Sequence, residues 1–245
     1  MAAAAAAALS RWRSAAGPWA AAAATAGLWA QPLGRHPSAR TPARAEALPA
    51  QSDLEQQLLA KRMVLVTRRI DDALANSVVS KLLCLELQSR VEPVVVLINS
   101  EGGQLYAGFA IYDAMRLLSA PVHTLCLGRA ESMACVLLAA GEPGKRYVAP
   151  NARVMIHQIS WTVEGKRHAA DVEVEAAEAV TARRRFAAAL ATCSGKDLAQ
   201  VEAAMERDNY MGAEEAVAFG IADEVLESVA PVLPTAEEEA ALPPP

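Results

Sequence analysis

Three segments decide the fold: MVLV at residues 63–66, DDALANSVVSKLLCLEL at 71–87 and VVVLIN at 94–99. The two short runs are continuously apolar and of strand length, the pattern of strands covered on both faces. Between them Leu74, Val78, Leu82 and Leu85 recur at helical spacing, and Asp71 or Asp72 stands where it can cap the first turn. The stretch therefore reads as strand, helix, strand. The rhythm recurs downstream. AGFAIYDAMRLL (107–118) predicts a helix, VHTLCLG (122–128) a strand, SMACVLLAAG (132–141) a helix closed by Gly141, and RVMI (153–156) a strand. Alternation of this kind predicts an α/β fold with mainly parallel strands.

After His157 the pattern changes. DVEVEAAEAVTARRRFAAALATCSG (171–195) is a long alanine-rich helical stretch, with acids early and arginines late, as the helix dipole favours. Its apolar residues Val172, Ala176, Val180, Phe186 and Leu190 make no strong stripe, so the helix is expected to project from the core toward a partner helix. Ser194 or Lys196 is then expected to open a helix through KDLAQVEAAM. ERDNYM reads as a loop, AEEAVAFG as a helix stopped by Gly220, and IADEVL as a final strand.

The 245 residues are 53% hydrophobic, enough for one substantial core with extensions. A net charge of −5, with no long basic patch after residue 45, argues against nucleic acid as partner. Cys84, Cys126, Cys135 and Cys193 show no metal-binding spacing and read as buried thiols in a reducing compartment. The first 45 residues differ: an alanine tract, Arg11, Arg13, Arg35, Arg40 and Arg44, and no acid before Glu46. Residues 1–50 are read as an organelle transit peptide or disordered leader, of mitochondrial or plastid type, with a secretory signal and an address-free tail as the competing readings. Residues 51–228 are assigned to the folded domain, and 229–245, acidic and proline-rich, to a disordered tail.

Ser132 stands at the mouth of an apolar run, preceded by Glu131, where a core helix needs neither residue. As a nucleophile it needs a base and an oxyanion site. At a helix N-terminus the Met133 N–H could donate to developing negative charge, and in NSEGGQ (99–104) Gly103 could supply a second donor. His157 ends a buried strand, where parallel sheets place ligands, and Asp208 lies in ERDNYM. Spacing alone leaves other readings open: Ser132 and Asp208 as cap or turn residues, His157 as a core histidine.

The segments IDDALANSVVSKLLCLE, LINSEGGQLYAGFAIYDAM, GRAESMACVLLAAGEPGKRYVAPNARVMIHQ and ERDNYMGAEEAVAFGIADEVL, in this order between Leu54 and Glu227, resemble the proteolytic subunit of the Clp protease, a serine peptidase. The resemblance implies the α/β superhelix shared with crotonases, built of repeated β/α units with a projecting handle helix. It implies a Ser132–His157–Asp208 triad, an oxyanion hole from the N–H groups of Gly103 and Met133, and a ring-joining role for Arg207. It further implies self-association, or association with related subunits, in seven-membered rings stacked as a tetradecamer, and cleavage of unfolded polypeptides inside the chamber. No metal or bound cofactor is implied, because ATP would be used by a separate AAA+ unfoldase; this chain has no G-x-x-x-x-G-K-[ST] phosphate loop.

The chain departs from the family pattern at several places. Glu101 replaces a proline beside the oxyanion turn, Glu131 precedes the serine and Ala134 replaces a glycine. QISWTVEGKRHAAD replaces a glycine-rich strand after the histidine. Val95 and Leu97 stand where the family has aromatic residues of the unfoldase-loop pocket, with Tyr147 retained. Two other readings follow: a noncatalytic or weakly active structural ring subunit, and a crotonase-like acyl-CoA enzyme. The latter is disfavoured by the complete triad.

Overall fold

The computed structural model describes residues 51–162, 165 and 168–232, so residues 1–50, read above as a leader, and residues 233–245 lie outside the described residues. The opening unit is as the sequence predicts. Strand β1 (Met63–Val66) follows helix α1 (Gln51–Ala60) and leads into α2 (Asp72–Gln88) and β2 (Val94–Ser100). Asp71 caps α2 by accepting from the Leu74 N–H at 2.7 Å. The inward residues Leu74, Val78, Leu82 and Leu85 are all buried, each large side chain contributing about 1.5–3 kcal/mol by leaving water. At the other end of α2, the Arg62 guanidinium donates to the carbonyls of Leu85, Ser89, Glu92 and Pro93. One side chain thus ties the last turn of the helix to the loop that leads into β2.

The chain continues through α3 (Leu105–Leu117), β3 (Val122–Glu131), α4 (Met133–Ala139), β4 (Arg146–Val148) and β5 (Arg153–Ile156). It closes with α5 (Ala169–Ser194), α6 (Leu198–Ala204), β6 (Asn209–Met211), α7 (Ala213–Phe219) and β7 (Glu224–Val225). The sheet order is β1-β2-β3-β4-β7, all parallel, with β5 also paired to β3 and β6 antiparallel to β5. The length of β3 makes this possible. Thr124 to Cys126 pair with β4, whereas Arg129 to Glu131 pair with β5. One sheet therefore branches at a shared strand, and the register between β2 and β3 slips between Ile98 and Ser100. Every residue of α4 is buried, as expected of a helix that is apolar all round.

Three local expectations are corrected, while α4, with Ala140 as its C-cap, ends against Gly141 as expected. The strand β3 runs on to Glu131, and ERDNYM contains β6 rather than only loop. Asp197, not Ser194 or Lys196, occupies the N-cap of α6, its N–H donating to the Gln200 side chain at 3.3 Å. The strand β4 carries a buried arginine that its sequence does not advertise. Arg146 is held by Asp223, with hydrogen bonds of 2.8 and 2.5 Å from Nε and Nη2, and donates from Nη1 to the carbonyls of Cys193 and Gly220. Val95 and Tyr147 are buried in a small cluster with Met63, Leu125, Leu226 and Val232, against which Leu58 of α1 and Leu97 pack. The long helix α5 buries Phe186, Ala187, Leu190 and Ala191 near its C-terminal end, while Val172, Val174 and Val180 are exposed. That division explains the missing stripe.

All four cysteines are free, but Cys84 is exposed, contrary to the reading of it as buried. It lies on the outer face of α2, between the buried Leu82 and Leu85. Burial pushes the Cys126 thiol up to about 12 and raises Cys135 and Cys193 as well. A thiol-alkylating reagent should modify one cysteine, Cys84, in the native protein and all four after denaturation; mass spectrometry of native protein modified at Cys126 or Cys135 would contradict this packing.

Burial tends to raise the Asp223 carboxyl, but the hydrogen bonds and charge of Arg146 outweigh it and hold the group below its ordinary value. A lowered folded value means that the stabilisation is complete above about pH 4 and is lost as pH falls through that value. Asp223→Ala, which strands the Arg146 guanidinium, should cost about 3 kcal/mol in denaturant unfolding at neutral pH. The difference from wild type should shrink below about pH 4; a pH-independent difference would contradict the charge-based account.

Candidate active site

The site is built where β3 stops. A strand must become a helix within one residue, and that residue is Ser132, at φ 54° and ψ −123°. This left-handed backbone is unusual for a side-chain-bearing residue and costs on the order of 1–3 kcal/mol. The surrounding hydrogen bonds impose it: the Ser132 N–H donates to Met155 O of β5 at 2.8 Å, and the Cys135 N–H donates to Ser132 O at 3.0 Å. Although Ser132 occupies the N-cap position, its side chain makes no capping bond. Its Oγ instead lies 3.0 Å from His157 Nε2. The cap reading of Ser132 is thereby removed.

His157 follows β5, which pairs directly with the end of β3, so the sheet brings the imidazole to the serine. On its other side, Nδ1 lies 3.4 Å from Asp208 Oδ1, beyond an ordinary hydrogen bond but within ion-pair range. Asp208 stands just before β6, whose antiparallel pairing of Asn209 with Ile156 delivers it beside His157. The Asp208 side chain is 60% exposed in this single chain. Residues 157–160 and 206–208 line an open cleft of about 630 Å³. Arg207 is exposed on its rim. Gln158 closes part of the cleft by donating to the Glu206 carboxylate at 2.8 Å.

The turn 101–104 packs against the serine from the opposite side. Ile70 bridges Gly103 in parallel fashion: the Ile70 N–H donates to Gly102 O and the Gln104 N–H donates to Ile70 O, each at 2.8 Å. The Ser100 hydroxyl, donating to Arg68 O at 2.7 Å and accepting from the Gly102 N–H at 3.1 Å, fixes the start of the turn. Gly102 has φ 83°, and a Cβ there would fall 2.6 Å from Glu131 O and 2.8 Å from Ser132 Cβ. Only glycine permits this approach. Among the described residues, no backbone acceptor is bonded to the N–H of Gly103 or of Met133. Gly108 is a further requirement that sequence reading passed over, since a Cβ there would collide with Met133 Cγ at 2.0 Å.

The two carboxylates that set this sequence apart are both engaged. Arg129 donates from Nη2 to Glu101 Oε2 at 3.0 Å, while its Nη1 lies 3.7 Å from Glu131 Oε2. Arg69 reaches the other oxygen of Glu101 at 3.8 Å. Pattern reading did not single out Arg129; its place two residues before Glu131 on the same strand face was the available signal. Among the described residues, no group of three or more His, Cys, Asp or Glu side chains could hold a metal ion. No helix there is long and apolar enough to cross a membrane.

Chemically, the arrangement offers a hydroxyl, a base within hydrogen-bond reach, a carboxylate behind the base, and the N–H of Met133 next in the chain to the hydroxyl-bearing residue. Gly102→Ala should displace Ser132 and lower its rate of reaction with a fluorophosphonate by on the order of 10²-fold, with the thermal unfolding transition retained. An unchanged rate would show that the close packing of the turn is not needed.

Comparison with known proteins gives concordant results. Residues 46–229 match the family model described as Clp protease. The chain is 42% identical over 176 residues to the ATP-dependent Clp protease proteolytic subunit 2 of Chlamydia trachomatis serovar D, covering 72% of this chain and 86% of that protein. The subunit 2 protein of Chlamydia muridarum is 42% identical over the same length, and the subunit 1 protein of Chlamydia felis 41%. With three quarters of its length matched by the family model and identity above two fifths to such relatives, the chain belongs to the Clp protease family.

Proposed function

We propose that this chain is a serine endopeptidase subunit in which Ser132 is the nucleophile, His157 the general base and Asp208 the orienting acid. The observation that supports this best is the 3.0 Å approach of Ser132 Oγ to His157 Nε2, made by a serine whose backbone is strained and whose side chain does not cap its helix. His157 Nε2 takes the hydroxyl proton as Oγ attacks the peptide carbonyl carbon. The resulting oxyanion is received by the N–H groups of Gly103 and Met133. Collapse expels the amine, which leaves with the proton from His157, and water then hydrolyses the acyl-enzyme with His157 again acting as base.

The same proposal extends to assembly. The family resemblance implies two seven-membered rings stacked as a tetradecamer, and relatives named ATP-dependent Clp protease proteolytic subunits support service to an ATP-consuming partner, here an AAA+ unfoldase. The exposed first half of α5 suits a ring-joining handle, and Arg207 suits a contact at the same junction. Delivery to a mitochondrial matrix or plastid stroma by residues 1–50 rests on their arginine-bearing, acid-poor composition. The long His157–Asp208 contact gives one physical reason for a second reading, a weakly active structural subunit.

Incubation of the full chain with a fluorophosphonate probe, followed by peptide mapping, separates these readings. Labelling at Ser132, abolished in Ser132→Ala, is expected, and Asp208→Asn should lower peptide hydrolysis by on the order of 10³-fold. An assembled ring that neither labels nor cleaves peptides would establish the structural reading.

A further inference from the structure

The structure assigns Arg129 as a positioning residue that neutralises two carboxylates flanking the oxyanion site and ties the oxyanion turn to the nucleophile strand. This inference rests on the peptidase reading above. Glu101 stands two residues before Gly103, and Glu131 two residues before Met133, so each acid lies close in sequence to one of the two N–H groups proposed to meet the oxyanion. A negative charge near that point opposes the charge that develops in the transition state. Arg129 touches both, through Nη2 to Glu101 at 3.0 Å and through Nη1 to Glu131 at 3.7 Å. It can do so because Ala130 pairs with Ser100, which brings the end of β2 alongside the end of β3.

Arg69 extends the chain to the segment that holds the turn from behind. It contacts Glu101 at 3.8 Å, and its neighbour Ile70 makes the backbone bridge to Gly103. The alternating order Arg69, Glu101, Arg129, Glu131 sums to zero charge and joins three segments around the serine. Only the Glu131 side chain is well shielded, at 19% exposure, whereas those of Glu101 and Arg129 are 41% and 47% exposed. The outer links therefore feel added salt. Stability changes little on losing such pairs; the consequence falls on the reaction.

The test measures the second-order rate of Ser132 labelling and kcat and KM for a small uncharged peptide, using the full chain and circular dichroism to confirm folding. Arg129→Ala should lower the labelling rate and kcat by roughly ten- to a hundredfold, with KM nearly unchanged. Added salt should restore part of the loss. The triple variant Arg129→Ala/Glu101→Gln/Glu131→Gln, which removes both carboxylates together with the guanidinium, should recover most of it, and Arg129→Lys should retain more activity than Arg129→Ala. If wild type labels at Ser132 but Arg129→Ala reacts equally fast, or its loss is neither relieved by salt nor recovered in the triple variant, the inference is overturned while the peptidase reading stands. If wild type in an assembled ring does not label, both fall together.

Discussion

The structure turns on a single backbone conformation, that of Ser132. A ten-residue strand ends at Glu131 and a wholly buried helix begins at Met133, leaving one residue to make the change. Its left-handed φ would relax if the residue were free. It is not free: the N–H is bound to β5, the carbonyl accepts from Cys135, and the following helix is buried on every side. The strain has two outcomes of chemical value. The hydroxyl is turned away from the helix it would otherwise cap, and among the described residues the Met133 N–H has no backbone acceptor.

The other site groups are placed by the same strand. Because β3 pairs with β2 on one side and passes from β4 to β5 on the other, its end collects the turn after β2 and the residue after β5. His157 follows from the second pairing. The turn at Gly102 and Gly103 follows from the first, with Ile70 clamping it from behind. Asp208 is the least constrained member, brought in by a three-residue antiparallel strand and still largely open to solvent. A contact made at the outer surface of a single chain is the one most sensitive to what packs over it in an assembly.

Much of this was legible in the sequence, because burial on both faces writes itself as continuous apolar runs and helical burial as a repeat of three to four residues. MVLV, VVVLIN and the helix between them needed no more than that. What stayed hidden was non-local. Arg146 looks incompatible with a buried strand until Asp223, far along the chain, is seen to hold it. The brief strand at Asn209–Met211 has an exposed tyrosine at its centre and is defined by its partner β5 rather than by its own pattern. At the site, the oddness of Ser132 and the two acids was visible, and the family resemblance supplied roles for His157 and Asp208. The pairing of Arg129 with Glu131 left a trace in their shared strand face, whereas its pairing with Glu101 left none, since it joins distant parts of the chain.

The most direct test of this account is a crystal structure of the full chain bearing a phosphonate adduct. Ser132 Oγ is expected to be bonded covalently to phosphorus, with the phosphonyl oxygen about 2.7–3.1 Å from the N–H groups of both Gly103 and Met133. An adduct oxygen directed into solvent, or a phosphonate bound at another residue with Ser132 unmodified, would contradict it.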